Sequence, residues 1–238
     1  MKFAVDLHIH SALSPCADKD MTPNNIVNMA RIKGLDFIAI TDHNSGANLE
    51  AVDKCAKKTG LIFIPGMEVE TSEEVHLVCL LPDLESAAVL HRHVYNSLPD
   101  MKNREEIFGK QLILDEYDRI MGEEERMLIT ATLLNVNEVF LFVNRLGGVV
   151  LPAHIDRLSN GMISNLGMIP EDLGIRYLEI SRNCSETAFR TLRPELDSYG
   201  LIRSSDAHYL GEILEREMWL ELEDRSPMAV IKKLKKNS

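Results

Sequence analysis

The sequence predicts an α/β fold, built of βα units around a mainly parallel sheet, and three observations carry that prediction. Short apolar runs of strand length alternate with longer helix-like stretches over most of the chain, the pattern of βα units. The 238 residues suit one domain or one barrel, because α/β barrels of that size are often undivided. Six of the eight histidines stand at or beside the apolar runs, and in α/β barrels the strand ends carry the active site.

Taken in order, residues 3–7 form the first strand. Thr22-Pro23 follows as an N-cap with proline at the first helical position, opening a helix through Ile26, Met29, Ala30 and Ile32 that Gly34 ends. Residues 37–40 are a second strand, 47–58 a helix, 61–64 a third strand and 75–81 a fourth. Later strands fall at 149–151, 177–180 and 202–203, with helices near 186–198 and 227–236. Residues 219–222 alternate apolar and acidic side chains, which predicts a half-exposed strand. Residues 84–144 break the alternation. They are polar and helix-prone, include Glu123-Glu124-Glu125-Arg126, and are too long for a βα loop. They read as a helical insertion within a single domain spanning 1–238, either a lid or side wall over a site or two solvated helices of a barrel wall.

Composition narrows the class. Hydrophobic residues at 45% and charged residues at 26% match a globular protein with a sizeable core. A formal net charge of −11 argues against wrapping long duplex nucleic acid without a local basic face. It leaves anionic substrates open, because bound divalent ions can dominate the local potential. Cys16, Cys55, Cys79 and Cys184 are widely spaced with no C-x-x-C pair, which excludes a zinc ribbon and fits a reducing compartment. Asp6 and His8 interrupt the only N-terminal apolar stretch, and no run approaches the roughly 20 apolar residues of a membrane span. A cytoplasmic protein with no membrane partner is expected.

The chemistry lies in short motifs: Asp6-Leu7-His8-Ile9-His10, Thr41-Asp42-His43-Asn44, Gly66-Met67-Glu68, Val75-His76-Leu77, Ala153-His154-Ile155 and Asp206-Ala207-His208. Imidazoles with carboxylates are ligands for Zn, Mn or Fe rather than for Ca or Mg alone. His8 and His10, two apart on an extended segment, project to one side. Asp42 reads as a carboxylate that orients a ligating imidazole rather than as a ligand. Glu68 can bridge two ions, as a neutral imidazole cannot, and Glu70 points the same way if the backbone stays extended. His91 and His93 lie in a helical stretch where positions two apart do not share a face, so no metal role is assigned to them.

In this order the motifs resemble the PHP (polymerase and histidinol phosphatase) family of metal-dependent phosphoesterases. The resemblance implies a distorted (β/α)7 barrel holding two to three divalent ions. It implies that His8, His10, Glu68 and Asp206 hold the first ion, and that Glu68, His76 and His154 hold the second. His43, His208 and a loop aspartate would hold the third. That aspartate is read as Asp18, with Asp20 as the alternative and Cys16 beyond it, because the loop Ser14-Pro15-Cys16-Ala17-Asp18-Lys19-Asp20 is longer than in relatives. His154-Ile155-Asp156-Arg157 resembles the H-P-x-R segment of the subgroup acting on AMP, nucleoside bisphosphates and short RNA ends, with Ile155 in place of the proline. There the arginine contacts the substrate phosphate. Arg157 is therefore the expected phosphate contact, with Arg182 and Arg145 as weaker candidates and Asn44 as a further substrate-binding residue. His208 is a candidate proton donor to the leaving group, and Asp42 a supporting catalytic residue.

The expected activity is hydrolysis of a phosphomonoester by metal-activated water. The substrate would be a nucleotide, nucleoside bisphosphate, short oligonucleotide or histidinol phosphate. Two rivals are an amidohydrolase, which shares the opening H-x-H but commonly bridges its metals with a carbamylated lysine, and a PHP scaffold that only binds metal. The basic tail Lys232-Lys233 and Lys235-Lys236 complements a helix C-terminus. Oligomeric state is left open.

Overall fold

The computed structural model describes residues 1–235. The chain begins with strand β1 (Lys2–Ile9), helix α1 (Pro23–Ile32), strand β2 (Phe37–Ile40), helix α2 (Leu49–Thr59) and strands β3 (Ile62–Glu70) and β4 (His76–Leu80). It continues through α3 (Leu84–Ser97), a single turn α4 (Glu105–Phe108), a hairpin of β5 (Leu112–Leu114) and β6 (Ile120–Glu123), and α5 (Val136–Arg145). The last third holds β7 (Val149–Pro152), α6 (Met162–Leu166), β8 (Tyr177–Ser181), α7 (Glu186–Leu192), β9 (Gly200–Ser204), β10 (Trp219–Glu221) and α8 (Pro227–Lys235). Helix starts follow local chemistry. The Thr22 side chain accepts from the Asn25 amide ahead of Pro23, and Asn135 with Glu138 makes a reciprocal capping box on α5.

Six strands form one sheet in the order β10-β1-β2-β3-β4-β7, and β8 and β9 form a parallel pair. A parallel bridge between Ile9 and Ala207 joins the segment after β9 to the end of β1. On the other side the Ile155 amide, just after β7, donates to the carbonyl of Glu179 in β8 at 2.8 Å. These links curl the whole into a mixed α/β half-barrel.

The sheet is less parallel than the alternation suggested. β1, β2 and β3 run parallel, but β3/β4, β4/β7 and β1/β10 are antiparallel. The reason is the connection Thr71–Val75 between β3 and β4, closed by the Thr71 amide on the Val75 carbonyl at 2.9 Å. A parallel crossover needs a dozen or more residues.

Strand residues alternate between two cores. Val5, Leu7, Phe37, Ala39, Val78 and Leu80 pack with Ala229, Val230, Ile231 and Leu234 of α8. Ala4, Ile38, Ile40, Leu77 and Cys79 pack with residues of α1, α2 and α3. Both faces are thus buried, so these strands read as continuous apolar runs. β10 pairs with Lys2, Phe3 and Ala4, the end of β1 far from His8 and His10, and α8 follows it there.

Three further expectations need correction. The 84–144 segment is not mainly helical: it carries the β5–β6 hairpin, with Glu123 in β6. Beyond β6, Lys102 bridges Arg126 in antiparallel fashion, and the Gln111 side-chain Nε2 donates to the Glu124 and Arg126 carbonyls. Helix 186–198 stops after Leu192, and a short 3-10 turn restarts at Pro194, which has no N–H to continue the ladder. The strand expected at 61–64 runs on to Glu70. Lys236, the expected end of the final helix, lies outside the described residues.

Candidate metal centre

The ends of β1, β2, β7 and β9, the second half of β3 and the start of β4 meet at one edge of the curled sheet. His8 is the penultimate residue of β1 and His10 follows the strand, held by its amide on the Ala207 carbonyl at 3.0 Å. After β2 the chain keeps pairing with β3: the Glu68 amide donates to Asp42 and the Asn44 amide to Glu68, which seats His43 beside Glu68. His76 begins its strand, whereas His8 lies late in β1 and the other clustered histidines follow their strands. It arrives at the same edge because β4 runs antiparallel, placing it opposite Glu70. His154 and Asp206 adopt left-handed backbone angles, φ 29° and 50°. Such strained non-glycine conformations concentrate at functional sites.

The ligand candidates converge. His8 Nε2 and His10 Nε2 lie 3.2 Å apart and each lies 3.0–3.5 Å from both Glu68 Oε2 and Asp206 Oδ1. Glu68 Oε2 also faces His43 Nδ1 at 3.0 Å, while Glu68 Oε1 faces His76 Nδ1 at 2.9 Å and His154 Nε2 at 3.3 Å. Three sets have ligand atoms close enough for one ion: His8, His10, Glu68 and Asp206; His43, Glu68 and His76; and His10, His43 and His208.

Outer hydrogen bonds fix which nitrogen points inward. The Ser14 hydroxyl donates to Asp42 Oδ1 at 2.7 Å, so it must accept from His10 Nδ1 at 2.9 Å. That leaves a lone pair on His10 Nε2. His8 Nδ1 meets Glu179 at 2.9 Å, and His208 Nδ1 donates to the Asp206 carbonyl at 2.8 Å. Inward Nε2 lone pairs therefore face carboxylate oxygens, an arrangement that a cation relieves. His43 Nδ1 and Glu68 Oε2, both buried, have no hydrogen-bond partner despite their 3.0 Å separation. These atoms fit ligation of a divalent cation, and imidazole plus carboxylate is its donor set.

The electrostatics agree. Burial opposes charge on His8, yet Glu179, Glu68 and Asp206 together lift its pKa well above 6.5. His10, against the same burial, rises to about 9 through Asp206 and Glu68. His76 rises to about 10 through Glu68 and Glu70. Glu68 and Asp206 are held below the usual carboxylate range, because the imidazoles around them outweigh their burial. Burial pushes His43 and His208 down, and the charge on His10 adds to it. This field, with protons standing where an ion would, attracts cations.

A cavity of about 350 Å³ opens onto the cluster, lined also by Arg157, Glu70, Cys16 and Asn160. The Arg157 guanidinium reaches Asp206 Oδ2 at 2.7 Å and Ser181 Oγ at 3.3 Å. Most other candidates stand apart from the cavity. Asp18 and Asp20 do not join the cluster; the Asp18 carboxylate caps its own turn by accepting from the Asp20 amide at 2.8 Å. Cys16 lines the cavity and is exposed. Asn44, read as substrate-binding, spends its amide on the Leu128 and Thr130 carbonyls and the Glu70 amide. Arg182 donates to the Glu212 carbonyl. Asp42 is fully buried and accepts from Ser11 and Ser14, so it reaches the cluster only through Ser14 and His10. His91 accepts from the Gly46 amide and His93 stacks on Phe142, both away from the cluster.

Sequence reading missed Glu179 and the role of Asp6. Glu179 is buried in β8 and holds both His8 Nδ1 and the His154 amide. Asp6 is buried in β1 and ties down the Ser205 and Leu214 amides. The available signal was a lone acid inside each apolar run, since a buried charge is stable only when paired.

The PHP domain model matches residues 6–137. Among curated proteins, a 5′-3′ exoribonuclease of Haemophilus influenzae is 33% identical over 78 residues. A 3′,5′-nucleoside bisphosphate phosphatase of Chromobacterium violaceum is 33% identical over 79 residues. Each match covers 32% of this chain and 27% of the relative, so the chain spans only about a quarter of either. Among solved structures, a lesion-specific endonuclease of Pyrococcus furiosus superposes with TM-score 0.72 at 21% identity, covering 99% of this chain and 56% of that one. Endonuclease Q bound to a 27-mer duplex with an abasic lesion gives TM-score 0.67 at 21% identity, over 99% and 57%. At such identity the likeness concerns the fold, and that neighbour binds a duplex. The charge-based expectation against long duplex nucleic acid is therefore not supported.

Proposed function

Because the chain belongs to the PHP domain family, we propose that it is a metal-dependent hydrolase of phosphomonoesters, with the centre above as its active site. The observation that carries this reading is Glu68: one oxygen faces His8, His10 and His43, the other His76 and His154, as a bridging carboxylate does between two imidazole groups. We read His8, His10, Glu68 and Asp206 as one ligand set, Glu68, His76 and His154 with neighbouring His43 as a second, and His43 and His208 with His10 as a third. In the third set the loop acid expected as Asp18 is replaced by His10. Two to three Zn, Mn or Fe ions are the proposed complement. When bound, they would supply a strong nucleophile from water at neutral pH and Lewis-acid stabilisation of phosphoryl oxygens.

The chain's own residues do the rest. Arg157 keeps one amino group on Asp206 and offers its remaining N–H fork to a phosphate in the cavity. His208, kept neutral by burial and by His10, holds its proton on Nδ1 against the Asp206 carbonyl, so its Nε2 lone pair suits it to hold an ion or accept a proton rather than to donate one to the leaving oxygen. Asp42 positions His10 through Ser14. The closing links between β9 and β1 support reading the half-barrel as a distorted (β/α)7 barrel, and the 84–144 segment as an insertion within one domain. A carboxylate in the bridging place favours phosphoester over amide hydrolysis. Small nucleotides, nucleoside bisphosphates and short oligonucleotide ends are the proposed substrate class. No described helix is long and apolar enough to cross a membrane.

The test is metal content together with phosphate release from AMP, adenosine 3′,5′-bisphosphate, histidinol phosphate and a 5′-phosphorylated RNA. Wild type is compared with His10→Ala and Arg157→Ala. Expected are about two to three ions per chain and turnover lost in His10→Ala, with a raised KM in Arg157→Ala. Full metal loading with no turnover of any ester would refute the proposal.

A further inference from the structure

The loop between β1 and α1 is fixed at two points to the residues that carry three of the imidazoles. The Ser14 hydroxyl accepts from His10 Nδ1 at 2.9 Å and from the His43 amide at 3.2 Å. Four residues later, the Asp18 amide donates to the His208 carbonyl at 2.9 Å. Cys16 is the midpoint of that span and, among the described residues, the loop's one contribution to the wall of the metal-site cavity. The β5–β6 hairpin braces the loop from outside: a Cβ on Gly109, at φ +93°, would stand 2.6 Å from the Pro15 carbonyl oxygen. A second cavity, of about 650 Å³, lies between the 15–19 loop, the hairpin and Tyr209, and shares Cys16 with the first. The thiol is free and exposed, and it is bonded to no other described residue.

The set His10, His43 and His208 is short of ligands once the first set is filled. An imidazole nitrogen has one lone pair and holds one ion. His10 Nδ1 is spent on Ser14, and its Nε2 lies 3.0–3.3 Å from Asp206 Oδ1 and Glu68 Oε2 of the first set. The third ion is then left with His43 and His208, and His43 is itself shared with Glu68 and His76. Both are neutral donors, whereas each of the other sets contains a carboxylate. Catalytic zinc-type ions ordinarily take three protein ligands. The shortfall is visible at His43: only 7% exposed, it lines the same cavity as Cys16, and its Nδ1 has no hydrogen-bond partner. The neighbouring acids do not fill the gap. Glu70 stands by His76 at 3.8 Å, and the Asp18 carboxylate holds the Asp20 amide.

We propose that Cys16 is a thiolate ligand of the third ion, beside His43 and His208, and that this soft donor makes the position select zinc-like ions over manganese. The inference rests on the metal-centre reading and gives that centre a sulfur ligand where a loop acid was expected. None of the three compact sets includes the sulfur, so the side chain, held by no partner, turns inward as the ion binds. The thiol proton then leaves to solvent, as it does wherever a thiol coordinates a divalent ion.

The experiment exchanges the metals of the full chain for cobalt(II) and follows absorption during the titration. A thiolate on cobalt(II) gives a near-ultraviolet charge-transfer band that imidazole and carboxylate ligands do not give. Wild type is compared with Cys16→Ser and, as a control thiol away from the cavity, Cys184→Ser, with thermal melting to verify folding. The band is expected in wild type and Cys184→Ser and is expected to be lost in Cys16→Ser. Iodoacetamide labelling, read by mass spectrometry, is expected to mark Cys16 in the chelated protein and to be blocked by zinc but not by equimolar manganese. Cobalt bound without the band, a band that survives in folded Cys16→Ser, or labelling unchanged by zinc overturns Cys16 as a ligand and leaves the phosphoesterase reading standing. Equal protection by manganese overturns the selectivity. No bound cobalt at all overturns the metal centre together with its sulfur ligand. A Cys16-dependent band in a protein that turns over no phosphoester keeps the ligand and refutes the phosphoesterase reading.

Discussion

Replacing Glu179 by glutamine isolates what a buried acid outside the ligand set contributes to the centre. Its carboxylate is 1% exposed and faces His8 Nδ1 at 2.9 and 3.2 Å, with one oxygen also accepting from the His154 amide at 3.2 Å. In Glu179→Gln the amide oxygen can take the place of Oε1 and keep both contacts, so shape and hydrogen bonding survive while the charge is lost. That charge is the first of the three that lift His8, so its loss lowers the basicity of Nε2 toward an ion. Outer carboxylates behind ligating histidines are worth about 10–100-fold in metal affinity, or about 1.4–2.7 kcal/mol. Chelator competition with Zn or Mn measures the loss, with the melting temperature of the chelated protein recorded beside it. Affinity within twofold of wild type in a folded Glu179→Gln protein would show that His8 is not oriented or tuned from β8.

Two other perturbations follow from the same geometry. In the chelated protein, His8, His10 and His76 have raised pKa values, so their stabilisation is complete below pH 6.5. It is lost as pH climbs through about 9 for His10 and about 10 for His76. Glu68 and Asp206, with depressed values, contribute above their ordinary 4.5 and 3.8 and lose that only in strong acid. His43 and His208 resist protonation and so weaken the fold below pH 6.5. Melting of chelated protein should therefore peak near pH 6.5 and fall toward pH 10, while the stabilisation gained from added metal grows over that range as protons stop competing. A gain that shrinks with pH would contradict the ligand assignment. Gly109→Ala forces a Cβ against the Pro15 carbonyl at φ +93°, and about 1–3 kcal/mol of lost stability is expected in urea unfolding; an unchanged midpoint would mean the hairpin and loop are not in fixed contact.

Much of the cluster was legible because histidines are rare residues set here against apolar runs. His8, His10, His43, Glu68, His154 and Asp206 each follow a strand or lie late in one, so a strand-by-strand reading finds them. His76 was the exception, a histidine at the start of its strand, and its place made sense only once β4 proved antiparallel. Asp18 shows the opposite failure. A loop of the right composition put an acid within reach, but the turn it caps uses its carboxylate on the Asp20 amide. The β5–β6 hairpin was missed because Glu123-Glu124-Glu125-Arg126 has high helix propensity, which was overridden by pairing of Glu123 with Leu112 and by the Gln111 side chain and Lys102 beyond it.

By itself the sequence singled out the histidines and acids that gather at one edge of the sheet, His76 excepted as to its place, since strand periodicity and residue type are local properties. Only the tertiary structure decided which nitrogen of each imidazole turns inward, and that Glu68 divides its oxygens between two imidazole groups. It alone brought Glu179, 171 residues along the chain, behind His8. It also drew the 15–19 loop, the hairpin and Tyr209 together as a second cavity. Those facts depend on distances between remote segments, and such distances are set by sheet curvature and packing, which no local pattern encodes.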